Sequence, residues 1–275
     1  MLKEIIFKDF FMQSVVITGG NGGIGSAVVN YFLQNGYRVF CLDITQNCEK
    51  QENLISIACD ITSEQSVKNA FEIVAKDTSE ISAVINLAGV YRMDSLIEID
   101  FERLKNTYDI NLFGACLVNK IFFPLYKDKG RVIIVTSELA PQKIMPFNGL
   151  YMLTKSALDK YAQGLRAELS LLGIKVITVR PGAINTGMID KSNQEMYALC
   201  ERSKLYSANT KKFFKIINSI SSKNIPPEKL AKLLYKAVNA KKPKMVYKIN
   251  QGFLLKIFSS LPEGFRNFLL KNILK

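Results

Sequence analysis

Apolar and polar positions alternate along the chain in two distinct rhythms. Short continuous blocks rich in Val and Ile recur, and segments between them return an apolar residue every three to four positions. Continuous blocks of this length are typical of strands buried on both faces, whereas the longer spacing is typical of amphipathic helices. The blocks predict strands at Ser14–Thr18, Tyr37–Leu42, Leu54–Ala58, Ala83–Leu87, Arg131–Thr136 and Lys175–Val179.

The segments between the blocks predict helices, for example over Gly23–Gln34, Glu64–Lys76 and Met152–Leu172. This regular alternation predicts an α/β fold with a single Rossmann-type, doubly wound parallel sheet and helices on both faces. No change of composition marks a boundary, so we expect residues 1–275 to form one domain. Residues 1–12 would form an N-terminal extension that precedes the first strand.

The alternation stops after Pro181-Gly182, and a different pattern follows. Residues 187–225 are polar and predict a substrate flap with short helices. A helix is predicted from Pro226-Pro227-Glu228 to Val238, and Lys244–Tyr247 predicts a last strand. Residues 250–275 predict an amphipathic helical tail, interrupted by Pro262 and carrying Phe253, Ile257, Phe258, Leu261, Phe265, Phe268, Leu269 and Ile273.

The net charge of +13 is concentrated in the C-terminal third of the chain. Residues 1–190 hold 19 Lys and Arg against 20 Asp and Glu, whereas residues 191–275 hold 18 against 4. Solvated lysines, contact with an anionic membrane surface and attraction to an acidic substrate carrier all stay open. Nucleic acid is not expected as a partner, since no recognition motif accompanies the charge.

Two features of the composition exclude several kinds of catalytic and metal site. The chain contains no histidine, which excludes Ser-His-Asp hydrolases, Cys-His proteases and His-ligated metal sites. Its five cysteines are odd in number and lack CxxC spacing, which argues against a disulfide scaffold or a zinc site and favours a reducing compartment. We therefore expect no metal and a cytoplasmic location, since the chain also lacks an apolar run of about 18 residues that would span a bilayer.

A glycine-rich turn, TGGNGGIG, follows the first predicted strand at residues 18–25. Glycines let backbone amides approach a pyrophosphate closely, and the helix that follows offers its positive end to the phosphates. We expect the turn to bind a dinucleotide through Gly19, Asn21, Gly23, Ile24 and Gly25.

Asp43 ends the second predicted strand, 18 residues beyond Gly25. A carboxylate at this position accepts hydrogen bonds from both adenosine ribose hydroxyls and repels a 2′-phosphate. NAD is therefore expected as the cofactor, and NADP is disfavoured. Arg38 lies earlier in the same strand and is expected to point elsewhere.

Tyr151 and Lys155 stand four residues apart in a predicted helix, so their side chains share one face. A free tyrosine has a pKa of about 10, and a neighbouring ammonium stabilises the phenolate. The pair could therefore move a hydroxyl proton while hydride passes to or from a nicotinamide.

Taken together, these motifs resemble the classical short-chain dehydrogenases/reductases over about residues 14–190. The resemblance is carried by TGGNGGIG, Asp60 after the third strand, NLAG at Asn86–Gly89 and Asn111 in YDINLFG. It continues with Ser137 in IIVTS, YMLTK at Tyr151–Lys155 and RPGAINT at Arg180–Thr186.

The resemblance implies a role for each matching residue. Ser137 would polarise the substrate oxygen, Tyr151 would be the general acid–base, Lys155 would bind the nicotinamide ribose and lower the pKa of Tyr151, and Asn111 would anchor a relay water. Asp60 and Ile61 would meet the adenine, and Ile184 and Thr186 would hold the carboxamide. The remaining cofactor contacts would come from Asn86, Ala88, Gly89, Pro181 and Gly182.

Three features depart from the family pattern: one residue of the NLAG turn, the spacing of Ser137 and Tyr151, and the residue after Ser137. Leu87 replaces a usual asparagine, and Ser137 and Tyr151 are fourteen residues apart, one more than usual. Glu138 stands where a small or apolar residue is more common, and it is expected to be a solvated loop residue rather than part of the substrate mouth.

The C-terminal segment loosely resembles family members that act on retinoids, steroids and other lipid-like alcohols. The expected substrate is therefore a hydrophobic secondary alcohol or carbonyl compound. A reductase of 3-oxoacyl thioesters on an acyl carrier and a non-catalytic NAD(H)-sensing regulator stay open as alternatives. The resemblance also implies a homo-oligomer, a dimer or tetramer, and the basic C-terminal region leaves peripheral membrane contact open.

Overall fold

The computed structural model describes residues 12–46, 51–185, 187–220 and 224–275. The predicted N-terminal extension, apart from Met12, and the predicted cofactor residue Thr186 lie outside these ranges. The described residues form one sheet whose seven strands are β1 Ser14–Thr18, β2 Arg38–Asp43, β3 Leu54–Ala58, β4 Ile81–Asn86, β5 Tyr126–Val135, β6 Lys175–Pro181 and β7 Val246–Ile249.

All the strand pairings are parallel, in the order β3-β2-β1-β4-β5-β6-β7. The chain winds outward from β1 to β3 and then returns to build the other half from β4, so the strand order reverses between β1 and β4. In sheets of this kind ligands bind at the carboxyl ends of the strands beside that reversal. The predicted doubly wound parallel fold is confirmed, and the reversal locates its binding edge.

Helices cover both faces of the sheet. The first nine helical segments along the described chain are α1 Gly23–Gln34, α2 Glu64–Asp77, α3 Phe101–Tyr108, a π-helical turn Asp109–Phe113, α4 Gly114–Phe122, a 3₁₀ turn Phe123–Leu125, α5 Gly149–Ser170, α6 Gly187–Arg202 and α7 Ser207–Ile220. They are followed by α8 Pro227–Asn239, α9 Phe253–Ser260 and α10 Glu263–Leu274.

Two apolar cores sandwich the sheet. One face packs under α2, α4 and α5, with Phe40, Val84 and Ile134 among its fully buried side chains. The other face packs under α1 and α8, around residues such as Ile17 and Ile85. Because adjacent residues of one strand belong to opposite cores, the continuous Val and Ile blocks are explained by burial on both faces.

The C-terminal pattern corresponds only in part to its prediction. The flap contains two helices of ordinary length, α6 with 16 residues and α7 with 14, rather than short ones. The tail forms α9 and α10, and the chain breaks between them at Leu261 and Pro262, as the proline predicts. No helix in the described ranges is long and apolar enough to cross a membrane.

Candidate active site

The glycine-rich turn is held in a conformation that side chains would disrupt. Gly19 has a φ of +70°, and its amide donates to the Leu42 carbonyl at 2.8 Å. A β-carbon at Gly19 would lie 2.7 Å from the Cα of Ala88, and one at Gly25 would lie 2.0 Å from the Gly19 carbonyl oxygen. The glycines therefore let α1 and the β4 loop pack directly against the turn.

The start of α1 is suited to an anion. The helix begins at Gly23 after Gly22, without a side-chain cap and without an acidic residue in its first turn. Its first amides and the positive end of its dipole are therefore directed at this turn. Asn21, Gly23 and Ile24, predicted as cofactor contacts, lie in the same turn and are partly or fully exposed.

Asp43 ends β2, as predicted, and lies beside the glycine turn. Its carboxylate accepts a hydrogen bond from the Asn21 amide at 3.0 Å and another from the Thr45 amide at 3.3 Å. Arg38, at the other end of the strand, forms an ion pair with Asp77 of α2. The expectation that Arg38 points away from the ribose position is confirmed.

Thr18 is a residue of the site that sequence reasoning missed. Its hydroxyl accepts hydrogen bonds from the amides of Leu87 at 3.1 Å and Ala88 at 3.2 Å, so it joins the glycine turn to the NLAG turn. The sequence carries no local signal for this contact, because the pairing of Thr18 with Asn86 at the ends of β1 and β4 is seen only in the sheet.

The NLAG residues take different positions. Asn86 is buried and donates to the Asn119 side chain of α4 at 2.9 Å, so its amide braces the helix layer rather than lining the exposed edge. Gly89 lies at the centre of the site, since a β-carbon there would be 3.1 Å from Asn111 Oδ1 and 3.2 Å from Lys155 Nζ.

Asp60 and Ile61 follow β3 on the predicted adenine side. The Asp60 carboxylate accepts from the amide of Thr62 at 2.9 Å and from its hydroxyl at 2.7 Å. Ile61 is buried against Gly114, where a β-carbon would lie 2.6 Å from Ile61 Cδ1. Their contact with adenine stays a prediction.

Asn111 lies in the π-helical turn between α3 and α4. π-Turns inside helices occur frequently at functional sites. The side chain is 1% exposed; it accepts from the Val90 amide at 2.7 Å and donates to the Val90 carbonyl at 2.9 Å and to Thr154 Oγ1 at 3.1 Å. Thr154 in turn donates to the Tyr151 carbonyl at 2.8 Å. Asn111 therefore fixes the turn that carries Tyr151, whereas its relay water stays a prediction.

Ser137, Tyr151 and Lys155 are brought together from two elements. Ser137 follows β5 and lies beside the phenol of Tyr151, whose pKa it lowers. Tyr151 projects from the first turn of α5. Lys155, one turn further, places Nζ 6.0 Å from the Tyr151 ring centroid and donates to the Val135 carbonyl at 3.3 Å. The predicted catalytic tetrad thus converges on one point at the carboxyl edge of the sheet.

Burial controls the pKa of both titrating groups. Burial raises the pKa of Tyr151 to about 12, the neighbouring Ser137 hydroxyl opposes this rise, and the charge of Glu138 adds to it. Burial also lowers the pKa of Lys155 to about 8. The lowering of the Tyr151 pKa expected from Lys155 is not seen, because desolvation disfavours the charged form of each group. At neutral pH the phenol is therefore protonated and able to donate.

Residues 182–184, which follow β6, are held by contacts with residues 249–250 and with Ile225. The Gly182 amide donates to the Ile249 carbonyl at 2.9 Å, and a β-carbon at Gly182 would lie 1.8 Å from the Asn250 oxygen. Pro181 and Ile184 are buried, and Ile184 forms a parallel bridge with Ile225. The predicted carboxamide contact of Ile184 stays a prediction.

A largely buried ion pair, also missed from the sequence, joins this segment to α5. Arg180 donates to the Asp159 carboxylate of α5 at 2.8 and 2.7 Å. Asp159 lies one turn beyond Lys155, so the pair fixes the register between α5 and β6. Its signal was Asp159 at i+4 from Lys155 and i+8 from Tyr151, on the same face of the helix.

Glu138 is not the solvated loop residue that was expected. It accepts a hydrogen bond from the Gly252 amide at 2.6 Å, and its own amide donates to the Pro181 carbonyl at 2.8 Å. Burial raises the pKa of this carboxyl. Glu138 therefore connects the Ser137 loop with the beginning of the tail.

An apolar cluster, here called the substrate-side cluster, borders Tyr151. The Tyr91 ring packs edge-on against that of Tyr151, with the centroids 4.8 Å apart. The cluster contains side chains from the β4 loop, the loop before α5, the flap and the tail: Tyr91, Met93, Met145, Phe147, Met196, Leu199, Phe213, Phe214, Ile216, Ile217, Leu270 and Leu274. The phenol thus lies between a polar hydrogen-bond network and an apolar wall.

Comparison with known proteins agrees with this geometry. The family "short chain dehydrogenase" matches residues 13–197. A 3-amino-tetrahydro-pyrrolizinone reductase from Xenorhabdus hominickii is 31% identical over 76% of this chain and 78% of its own length. The 17-beta-hydroxysteroid dehydrogenase type 2 of Homo sapiens is 29% identical over 98% of this chain and 75% of its own length.

The fold is likewise shared with solved structures. A short chain dehydrogenase family protein from Francisella tularensis superposes with a TM-score of 0.75 at 24% identity, covering 88% of this chain and 99% of that one. The family match spans the glycine turn, the tetrad and the start of the flap. The chain therefore belongs to the short-chain dehydrogenase family, whose members are NAD(P)-binding oxidoreductases that act on alcohol and carbonyl carbons.

Proposed function

We propose that the protein is an NAD(H)-dependent oxidoreductase that interconverts a hydrophobic alcohol and its carbonyl compound, with Tyr151 as the general acid–base. The observation that carries this proposal is the convergence of Ser137, Tyr151 and Lys155 beside the substrate-side cluster. One side of the phenol faces groups that can hold and move a proton, and the other side faces apolar side chains.

The described residues fit a nicotinamide dinucleotide. The turn around Gly19 and Gly25 forms a cradle that β-carbons would fill, and the uncapped start of α1 is directed at it. Gly19, Asn21, Gly23, Ile24 and Gly25 would hold the pyrophosphate. Asp43 would hold the adenosine ribose, Asp60 and Ile61 the adenine, and Lys155 the nicotinamide ribose.

The proton chemistry follows from the residues at the tetrad. When bound, the dinucleotide supplies or accepts the hydride. In the direction of reduction, the protonated phenol of Tyr151 donates to the developing alkoxide oxygen. The Ser137 hydroxyl holds that oxygen, and a Lys155 ammonium stabilises the phenolate that is left.

NAD is proposed over NADP because of Asp43. The carboxylate sits beside the glycine turn, where a 2′-phosphate would meet a like charge. Arg38 of the same strand is paired with Asp77 at the far end and is not directed at the ribose position.

The substrate-side cluster supports an apolar substrate. It brings together tyrosine, methionine and phenylalanine side chains from four parts of the chain, and its Tyr91 ring packs against that of Tyr151. The relative from Homo sapiens bears the name of a hydroxysteroid dehydrogenase, in keeping with an apolar, ring-containing substrate for this chain.

The test is oxidation of NADH and NADPH against aldehydes and ketones of rising chain length and ring size, with Tyr151→Phe measured in parallel. We expect NADH-dependent turnover that increases with apolar surface. In the variant kcat/KM should fall by about 10²- to 10⁴-fold, while NADH binding stays within about twofold. Preference for NADPH, for small sugars, or full turnover by the variant would contradict the corresponding part of the proposal. NADH binding without turnover of any carbonyl compound would favour a sensor.

We further propose a cytoplasmic homo-oligomer that contacts membranes only at their surface. The described cysteines are free, in keeping with a reducing compartment. The helical run that carries Asn111 exposes Phe101, Phe113 and Phe123, which offer a self-association surface. Sedimentation velocity should show a dimer or tetramer, and a monomer at micromolar concentration would contradict the assembly.

A further inference from the structure

We infer that the helical hairpin α9–α10 docks on an anionic phospholipid bilayer and presents the substrate side of the enzyme to the membrane. Docking itself does not need catalysis, whereas delivery of an apolar substrate rests on the function proposed above. The inference specifies the surface, the lipid chemistry and the residues that make the contact.

The hairpin exposes large apolar side chains along both helices. Phe253 is 74% exposed and Phe268 61%, and Leu254, Ile257, Phe265 and Ile273 are also exposed. No side chain of α9 is buried, although most of its residues, FLLKIFSS, are Phe, Leu or Ile. In α10, by contrast, Arg266 and Leu274 face the protein, so its exposed phenylalanines lie on the outer side. Exposed large apolar side chains concentrated in one segment are typical of an interaction site.

The hairpin is ordered by contacts on its inner side. Arg266 is buried, and its guanidinium lies 5.9 Å from the Phe258 ring centroid, which links the two helices. Asn209 of α7 donates to the Leu274 carbonyl at 2.8 Å, so the end of α10 is tied to the flap. The apolar outer face is therefore presented by a fixed scaffold.

The charge around this face selects the partner. Residues 248–275 contain five basic residues against one acidic residue, Glu263. Lys256, Lys271 and Lys275 are exposed, and the adjoining helix α7 adds exposed Lys211, Lys212 and Lys215. An apolar helical face bordered by lysines is suited to lie in the interface of a bilayer containing anionic lipids.

The same hairpin rests on the catalytic loop. The Gly252 amide donates to Glu138, next to Ser137, and Lys143 Nζ donates to the Leu261 carbonyl at 3.0 Å. On its inner side, Leu270 and Leu274 join the substrate-side cluster that borders Tyr151. A bilayer on the outer face would thus lie one helix layer away from the substrate site.

The experiment is co-sedimentation of the full chain with phosphatidylcholine vesicles and with vesicles containing about 30% phosphatidylglycerol, at low and high NaCl. We compare the wild type with a double variant, Phe265→Ser and Phe268→Ser. The matched control is Leu171→Ser with Leu172→Ser, because Leu171 is 86% exposed and follows α5 at the opposite, amino-terminal edge of the sheet. Activity on a water-soluble carbonyl compound and circular dichroism report on the fold of each variant.

We expect the wild type to bind the anionic vesicles and to be released by salt. The hairpin variant should lose at least about tenfold in its partition coefficient, whereas the control variant should bind like the wild type. Tyr151→Phe should bind vesicles like the wild type even if no substrate is ever found, which separates docking from the proposed function. No binding of the wild type to anionic vesicles, or equal binding by the hairpin variant, would overturn the inference. If the wild type bound no vesicles and the hairpin variant lost self-association, this face would be assigned to a second copy of the chain.

Discussion

The nucleotide-binding half, from β1 to β4, and the C-terminal region, residues 187–275, are stabilised in different ways. In the first, backbone meets backbone: Gly19, Gly25 and the Ala88 turn pack so closely that β-carbons do not fit. In the second, side chains make the contacts, through an apolar cluster and through ion pairs of Glu195 with Arg103 and of Arg202 with Asp94. The charges differ as well, since the basic excess lies in the C-terminal region.

This difference separates the region that binds the dinucleotide, whose geometry must stay fixed, from the region proposed to contact the substrate, whose side chains can vary. Binding a dinucleotide requires a fixed backbone geometry, which only a few glycine positions allow. A substrate wall built from side chains can be altered one residue at a time without moving the sheet. Fold and cofactor class are therefore encoded by short motifs, whereas the substrate choice proposed above would be distributed over α6, α7 and the tail.

The largest effect should come from the backbone contacts. In Gly25→Ala the added methyl would lie 2.0 Å from the Gly19 oxygen, so the turn must shift. Such overpacking typically costs about 1–3 kcal/mol. We expect the Kd for NADH, measured by fluorescence titration, to rise about 10- to 100-fold, since each ~1.4 kcal/mol is a factor of ten.

Gly164→Ala provides the control for this substitution. Gly164 lies in α5, and no atom lies within 4 Å of the position that its added methyl group would take, so the same chemical change meets open space. We expect unchanged NADH affinity and a free energy of unfolding higher by about 0.5–1 kcal/mol. An equal loss of NADH affinity in Gly25→Ala and Gly164→Ala would contradict the proposal that the glycine turn holds the cofactor.

Strands and helices with a repeating apolar pattern, and turns that require glycine, could be predicted from the sequence. β1 and β3 begin and end as predicted. β1 is buried throughout between the helix layers, whereas β3 lies at the edge of the sheet and buries only Ile57. β5 begins at Tyr126 rather than Arg131, because Tyr126 pairs with Ile81 across a register shift at the edge of the strand. Tertiary pairing extended the strand beyond the apolar block.

The tetrad was predictable because each member lies in a local motif, but its supports were not. Thr18 acts on amides about 70 residues away, and Glu138 is bound by Gly252, 114 residues further on. Such contacts depend on loop positions that no local pattern specifies. The rise in the Tyr151 pKa was also missed, because it is caused mainly by burial, which the position of Lys155 in the sequence does not reveal.

A smaller effect is expected from the ion pairs that hold the flap. Arg103 of α3 donates to Asp94 at 2.6 Å and to Glu195 of α6 at 2.6 Å, and Arg202 of α6 also pairs with Asp94 at 3.0 Å. In Arg103→Met one anchor is lost while Arg202 remains. We expect the substrate KM to rise about 3- to 10-fold, in line with a partly buried pair, with NADH affinity unchanged.

Arg38→Met is the matched control on the nucleotide-binding side. It removes the pair with Asp77 between β2 and α2, far from the flap. Steady-state kinetics should show substrate KM within about twofold of the wild type. If Arg103→Met weakened NADH binding as much as it weakened substrate binding, the two regions would not be separable in the way described above.

The smallest effect tests Glu138, which joins the loop after β5 to the tail. Glu138 follows Ser137, accepts from Gly252 and raises the pKa of Tyr151 through its negative charge. Glu138→Gln keeps an acceptor for Gly252 but removes the charge, so the pKa of Tyr151 should fall. Alcohol oxidation requires the phenolate, and the acidic limb of its kcat/KM–pH profile should therefore move to lower pH, by less than about one unit.

The shape of the shift distinguishes charge from damage to the loop. Burial raises the pKa of Glu138 itself, so the wild type loses this charge on acidification, and the two profiles should converge at low pH. Glu168→Gln, the same change on the exposed side of α5, should leave the profile in place. If the acidic limb of Glu138→Gln did not shift and kcat/KM were lower at every pH, Glu138 would act only by holding Gly252. Its charge would then have no effect on the pKa of Tyr151.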